Sequence, residues 1–246
     1  MSKEPRPRPN GGWADKAETV PVGGREMRLT GPLQGFGKMW QKTFRIRLDG
    51  CEATPEEVIA EWKTNYGSFW PSHARFYAPI TGIKPGEVAA IGTKQGPIRV
   101  STGVMVMYAD DVSFAYMTPE GHPFAGWITF SAEREEETTV AQVRMILRAS
   151  DPIYELGFTF GGSRAENRMW QQTLRALAAH LGVDAEPQSS AVCVDKHRQW
   201  RNFGQVWQNS MIRSTLAAPF RAIRGNHEPT QNLDESPRGN DPWRRR

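Results

Sequence analysis

His122 is the residue of this chain whose type and setting come nearest to chemistry: it stands between Gly121 and Pro123 with Glu120 adjacent. An imidazole titrates near neutral pH, and a neighbouring carboxylate can orient it. The Glu120-Gly121-His122-Pro123 turn therefore has the parts of a general base that could act on an enolisable ketone. The plainer reading is a bend fixed by an imidazole hydrogen-bonded to backbone. Asp110 and Asp111 offer paired carboxylates, but neighbours at a strand end point to opposite sides, which favours turn chemistry. Gly161, Gly162 and Ser163 precede a helical pattern and could receive an anion at its N-terminus. No phosphate-loop lysine follows them, and a strand-to-helix connector accounts for them. His73, His122, His180, His197 and His227 lack metal-ligand spacing, and Cys51 and Cys193 have no nearby partner, so neither a metal nor a cofactor is expected. No Gly-x-Ser-x-Gly nucleophile motif occurs.

A second set of residues could make a cavity instead of a reaction. Met105, Met107, Met145 and Met169 are adaptable gap-fillers, and Tyr116, Trp127, Phe130, Phe158, Trp170 and Leu174 are large enough to wall an apolar space. Core packing explains each of them equally well. What decides between lining and filling is the set of elements that carries them.

Those elements read as a sheet and one long helix. Trp40 to Leu48 alternates, with Trp40, Lys42, Phe44, Ile46 and Leu48 on one side, which is the period of a half-buried strand. Thr54-Pro55-Glu56-Glu57 carries an N-cap hydroxyl, a proline at the first helical position and acids against the helix dipole. The helix it starts turns Val58, Ile59 and Trp62 inward and breaks into the aromatic cluster Tyr66, Phe69, Trp70, Phe76 and Tyr77, core closers or the mouth of a pocket. Strands are expected over Glu87–Lys94, Ile98–Tyr108, Ser113–Met117 and Phe124–Ala132. A charged hairpin tip at Glu133–Glu137 then returns a strand with Ala141, Val143, Met145 and Leu147 on its apolar side and Gln142, Arg144 and Arg148 on the other. Both faces of the Ile98–Tyr108 strand become apolar toward its end, so that end is covered twice. Met169, Trp170, Thr173, Leu174, Leu177, Ala178 and Leu181 repeat at helical spacing, with Ser163 and Glu166 as a capping box and Gly182 as the C-terminal stop.

The ends differ from this centre. Proline and glycine dominate residues 1 to 35, which read as a disordered or extended arm, and Asn226 onward reads as a disordered tail. Asp184 to Ser190 is expected to be a linker and Asp195 to Ile223 a helical tract with Trp200, Phe203, Trp207 and Met211 on one stripe. That stripe packs on the domain or on a second copy of the chain, or docks on an anionic membrane surface. The domain division is thus 1–35, 36–183, 184–224 and 225–246.

Composition sets the outer limits. The chain has 246 residues, 38% of them hydrophobic, enough for one buried core. Its net charge of +4 sits largely at the two ends, so no specific nucleic-acid binding is expected. Two cysteines make no disulfide framework, and no apolar run approaches the roughly 18 residues of a membrane helix, so a cytoplasmic protein is expected.

Phe114-Ala115-Tyr116, Gly121-His122-Pro123 and Asp151-Pro152, followed by the helix containing Met169 to Val183, give this order a family resemblance. The region after Ser113 resembles a bacterial family without an assigned activity inside the START-like, or SRPBCC, superfamily, which includes polyketide cyclases. By architecture the similarity extends over Trp40 to Val183. Gly126-Trp127 stands where that family's pattern has a glycine and an acidic residue, so no acid is supplied there. The resemblance implies an α+β helix-grip fold, a curved antiparallel sheet closed by its C-terminal helix, with a small hydrophobic ligand such as a lipid or polyketide between them. It implies as alternatives a cyclase or dehydratase acting on a carbonyl substrate in the same cavity, with His122 as base, or an adaptor working through residues 195–223.

Overall fold

Alternation along Met39–Arg47, strand β3, buries Phe44 and Ile46, with Leu48 beyond its end, while Arg45 and Arg47 lie outside. A computed structural model describes residues 19–22, 25–95, 98–210 and 212. Its first two strands, β1 (Thr19–Val22) and β2 (Arg25–Thr30), precede β3. Helix α1, Pro55–Asn65, begins with the expected capping box: Thr54 Oγ1 accepts from the Glu57 N–H and the Glu57 carboxylate accepts from the Thr54 N–H. It buries Val58, Ile59 and Trp62. Strands β4 (Ala74–Tyr77), β5 (Val88–Gln95), β6 (Ile98–Ala109), β7 (Ser113–Pro119), β8 (Phe124–Glu135) and β9 (Thr138–Ala149) follow. Short helix α2 (Pro152–Gly157) leads through a kink into α3, Ser163–His180, and β10 (Gln188–Asp195) comes last.

The strands pair antiparallel in the order β10-β3-β9-β8-β7-β6-β5-β4. Hairpins account for β4 to β9, whereas β3 and β10 join by long return connections at the far edge. Helices α1 and α3 lie on one face of this curved sheet, so the core is a sandwich of inward rows against two amphipathic stripes: Phe114 and Phe130 from the sheet, Trp62 from α1, and Trp170, Leu174 and Leu177 from α3. This is the helix-grip arrangement expected. Gly182, with φ of +79°, ends α3 as its stop, and the Val183 N–H donates back to the Ala178 carbonyl at 2.9 Å.

Several expectations differ from what is found. Thr30 and Leu29 of the presumed arm pair with Thr118 and Pro119, and the Phe36 and Gly37 N–H groups both donate to the Ala149 carbonyl. Proline and glycine there mark turns between paired segments. Residues 1–18 and 213–246, on which the rest of the arm and the tail fall, lie outside the described residues. The presumed linker at Asp184–Ser190 runs into β10, whose Ser189 to Cys193 pair with Trp40 to Phe44; its mixed small and apolar residues hide a strand that needs only one partner. The presumed helical tract is, within the described residues, a 3-10 segment over Trp200–Gln208, with Ser210 and Ile212 α-helical after it. Here tertiary bonds outrank periodicity: the Gln199 N–H donates to the Phe36 carbonyl, and the Asn202 amide donates to Leu33 and Gly35.

The outward row of β9 is likewise not simply solvated. Arg148 is 1% exposed, and its guanidinium donates to the Gly37 carbonyl at 2.6 Å, to the His197 carbonyl at 2.9 Å and to Asp195. It ties the β9 edge to residues 33–37 and to the segment after β10.

Candidate functional site

Between the inward face of β4 to β8 and helices α2 and α3 lies a cavity of about 500 Å³. Its wall follows from strand parity. On β6, Thr102 and Val104 point in; on β7, Tyr116 and Thr118; on β8, Phe124, Ile128 and Phe130. The segment from the end of α1 into β4 contributes Tyr66, Trp70 and Phe76, so that three of the five aromatics in the break form a pocket wall. Phe69 is instead buried against the His180 ring, and Tyr77 faces outward with 55% exposure. The lid side comes from Ile153, Tyr154 and Phe158 around α2 and from Glu166, Met169 and Trp170 on α3. The rings interlock: Phe130 lies edge to face with Tyr116 at 5.8 Å and tilted against Trp170 at 5.7 Å between ring centres.

Of the residues expected to line such a space, Tyr116, Phe130, Phe158, Met169 and Trp170 do so. Met145 and Leu174 are fully buried in the packed core beside it. Met105, Met107 and Trp127 are on the opposite face of the sheet, a correction that parity explains. They are odd-numbered on β6 and β8, where the inward residues are even-numbered. Met105 is nonetheless buried, which matches the doubly apolar end of β6, while Met107 and Trp127 are about two-fifths exposed. A register irregularity between Val106 and Tyr108 places Met107 at a bulge.

His122 does line the cavity, but its ring serves the turn. Nδ1 accepts from the Phe124 N–H at 3.1 Å, and the His122 carbonyl accepts from Ser150 Oγ. Burial pulls its pKa down to about 4, against a smaller upward push from the Phe124 carbonyl, which also lies 3.1 Å from Nδ1, so the ring is neutral at ordinary pH. No hydrogen bond joins it to Glu120 among the described residues, and the carboxylate-oriented base is not formed. Asp110 is a turn residue as expected, accepting from the Val112 and Ser113 N–H groups at 3.0 and 2.7 Å. Gly161, at φ of +125°, makes the kink between α2 and α3, the connector reading of that glycine pair.

Two residues at the wall have polar roles that the sequence reading did not assign: Glu166, read as a cap, and Tyr116, read as an apolar wall. Glu166 does not cap α3; its Oε2 accepts from Lys42 Nζ at 2.6 Å, with both side chains 6% exposed. The same ammonium donates to Ser163 Oγ and Asn167 Oδ1, each at 3.1 Å, so all three of its hydrogens are placed. Desolvation raises the Glu166 pKa in spite of Lys42. The signal was a lysine in the apolar row of β3. Tyr116 is 3% exposed, and its hydroxyl, like Glu166 Oε1, has no hydrogen-bond partner among the described residues.

Trp200 and Phe203 stack at 6.3 Å and bracket Phe36, yet both stay at least half exposed, as does Trp207. Met211 lies outside the described residues. No cluster of three or more potential metal ligands, and no helix long and apolar enough to cross a membrane, occurs among the described residues.

A family profile described as a domain of unknown function, DUF1990, matches residues 53–176. No curated protein matches the chain. Among solved structures, the chain is similar to a conserved protein from Geobacillus kaustophilus at 9% identity and a TM-score of 0.44, covering 60% of this chain and 99% of that one. It is similar to the di-domain ARO/CYC StfQ from the steffimycin biosynthetic pathway at 12% and 0.44, covering 59% and 51%. It is also similar to Ara h 8.0201 at 11% and 0.39, covering 57% and 97%.

Proposed function

The chain belongs to the DUF1990 family, a domain family of unknown function, and we propose that it binds a small apolar molecule in the cavity between the sheet and its closing helix. The observation that carries this reading is the cavity itself. Protein interiors are packed to crystal density, with few voids larger than a water, and about 500 Å³ walled by aromatic rings is instead the size of a small-molecule site. Proton-transfer chemistry on a carbonyl compound in the same space would need a base held ready toward the ligand. His122, with Nδ1 committed to its own turn and no carboxylate beside it, favours binding over turnover. An adaptor role for the tract after β10 is less supported, because that tract is bonded into the domain through residues 33–37.

The test is a titration of the full chain with the neutral dye N-phenyl-1-naphthylamine, alongside the variant Ile128→Trp, which puts an indole into the cavity. Saturable binding of one equivalent, weakened about tenfold or more by the substitution, is expected from loss of the enclosed apolar surface. No binding, or binding indifferent to Ile128→Trp, would refute the proposal.

A further inference from the structure

We infer that the cavity selects an electrically neutral, hydroxyl-bearing apolar molecule over a carboxylate or phosphate, with Tyr116 Oη and Glu166 Oε1 as the groups that read the hydroxyl. This deepens the binding reading above and rests on it. The charge inventory of the wall is one-sided: it contains one carboxylate, Glu166, and no lysine or arginine among the described residues. Lys42, the cation paired with Glu166, has all three ammonium hydrogens given to Ser163, Glu166 and Asn167 and none left for a ligand. Of the two histidines that border the space, His122 is neutral through burial and His73 is exposed at the rim. An anion placed here would lose its water, gain no cation and meet a like charge.

A neutral hydroxyl meets the opposite situation. The Tyr116 phenol is buried, protonated and unpartnered, able to donate one hydrogen bond and to accept another. Glu166 Oε1 is a buried acceptor left free by Lys42, which takes its sister oxygen, and the Trp170 indole lies beside the same carboxylate. The two border the same aromatic cluster: Tyr116 packs on Phe130, Phe130 packs on Trp170, and Trp170 follows Glu166 by one helical turn. Each of the two can pair with a hydroxyl on a bound molecule, which satisfies a group otherwise buried at a cost. The rest of the ligand needs only an apolar surface.

Isothermal titration of the full chain with naphthalene, 2-naphthol and 2-naphthoate near neutral pH tests this. The expected order puts 2-naphthol at least about tenfold tighter than 2-naphthoate, the size of one well-made buried hydrogen bond. Tyr116→Phe is expected to lower 2-naphthol affinity toward that of naphthalene measured on the same variant. Glu166→Gln, which keeps the side chain's shape but removes its charge, is expected to narrow the discrimination against 2-naphthoate. Naphthoate binding as tightly as naphthol, or both substitutions leaving the order untouched while naphthalene still binds, overturns the inference and leaves the cavity reading standing. Binding of none of the three overturns the cavity reading and this inference together.

Discussion

Replacing Lys42 by methionine removes one half of the buried ion pair that joins β3 to the first turn of α3. At 2.6 Å and an effective dielectric constant of about 20, the attraction being lost is about 6 kcal/mol. Much of that offsets the desolvation of two charges, and breaking such a pair from one side costs about 3–5 kcal/mol at neutral pH. Removing both charges in Lys42→Met with Glu166→Leu leaves no orphan ion, so the double variant should lie within about 1 kcal/mol of wild type or above it. The pH dependence has a definite sign. Desolvation already holds the Glu166 pKa above its ordinary value, against the pull of Lys42. The folded state therefore holds this proton more tightly than the unfolded chain does. Its contribution is greatest below the unfolded carboxylate pKa and is lost as pH rises through the folded one. In Lys42→Met the attraction is gone and the folded pKa climbs further. The variant's deficit should grow from about pH 5 to pH 7, by at most about 1.4 kcal/mol per pH unit. Urea unfolding followed by tryptophan fluorescence across that range measures it. A single variant within about 1 kcal/mol of wild type at pH 7, or a double variant as weak as the single one, would refute the reasoning.

Gly126→Ala should cost about 3 kcal/mol by the same unfolding assay, because the added Cβ would sit 2.1 Å from the Ile146 carbonyl oxygen across the β8–β9 ladder; a neutral result would mean that β8 can shift outward there. Arg148→Met should lose about 3 kcal/mol and open the segment after β10 to limited proteolysis, since the Gly37 and His197 carbonyls then lose their guanidinium donor and Asp195 its cation. Lysine should rescue it poorly, lacking the planar fork. Asp195 is held well below the usual carboxylate range, first by the His197 N–H and then by Arg148. With a depressed folded pKa its stabilisation is present above the ordinary carboxylate value and lost as pH falls below it, so the wild-type segment should loosen only in acid, seen as a near-ultraviolet dichroism change.

The periodic parts of this fold were legible because their residues report burial locally. β3, the β8–β9 hairpin, the cap at Thr54 and the stripe on α3 each carry the pattern their packing requires. What sequence could not assign was which face of a two-sided strand meets the cavity. Met105 and Thr102 are both buried on β6, one beneath the sheet and one toward the cavity, and residue type does not distinguish them. Nor does local pattern reveal partners far along the chain. Glu166 looks like a cap until β3 delivers Lys42, Arg148 looks solvated until His197 and Asp195 return to it, and β10 looks like a linker until it meets β3. The cavity wall was half visible for the same reason: its apolar residues announce themselves, while its two polar readers matter only through what they lack.

The placement of β3 also has a consequence for how the chain folds. β3 is made early in the sequence but pairs on one side with β9 and on the other with β10, Gln188 reaching back to Arg45. The hairpins β4 to β9 can form from neighbours, whereas β3 must wait for the far end of the chain, with its apolar row and both backbone edges unpaired. Such non-local closure slows folding and exposes a sticky strand in the interval. During synthesis β3 emerges well before β9 and β10, so a chaperone that shields a single extended apolar strand would find one in Met39–Arg47.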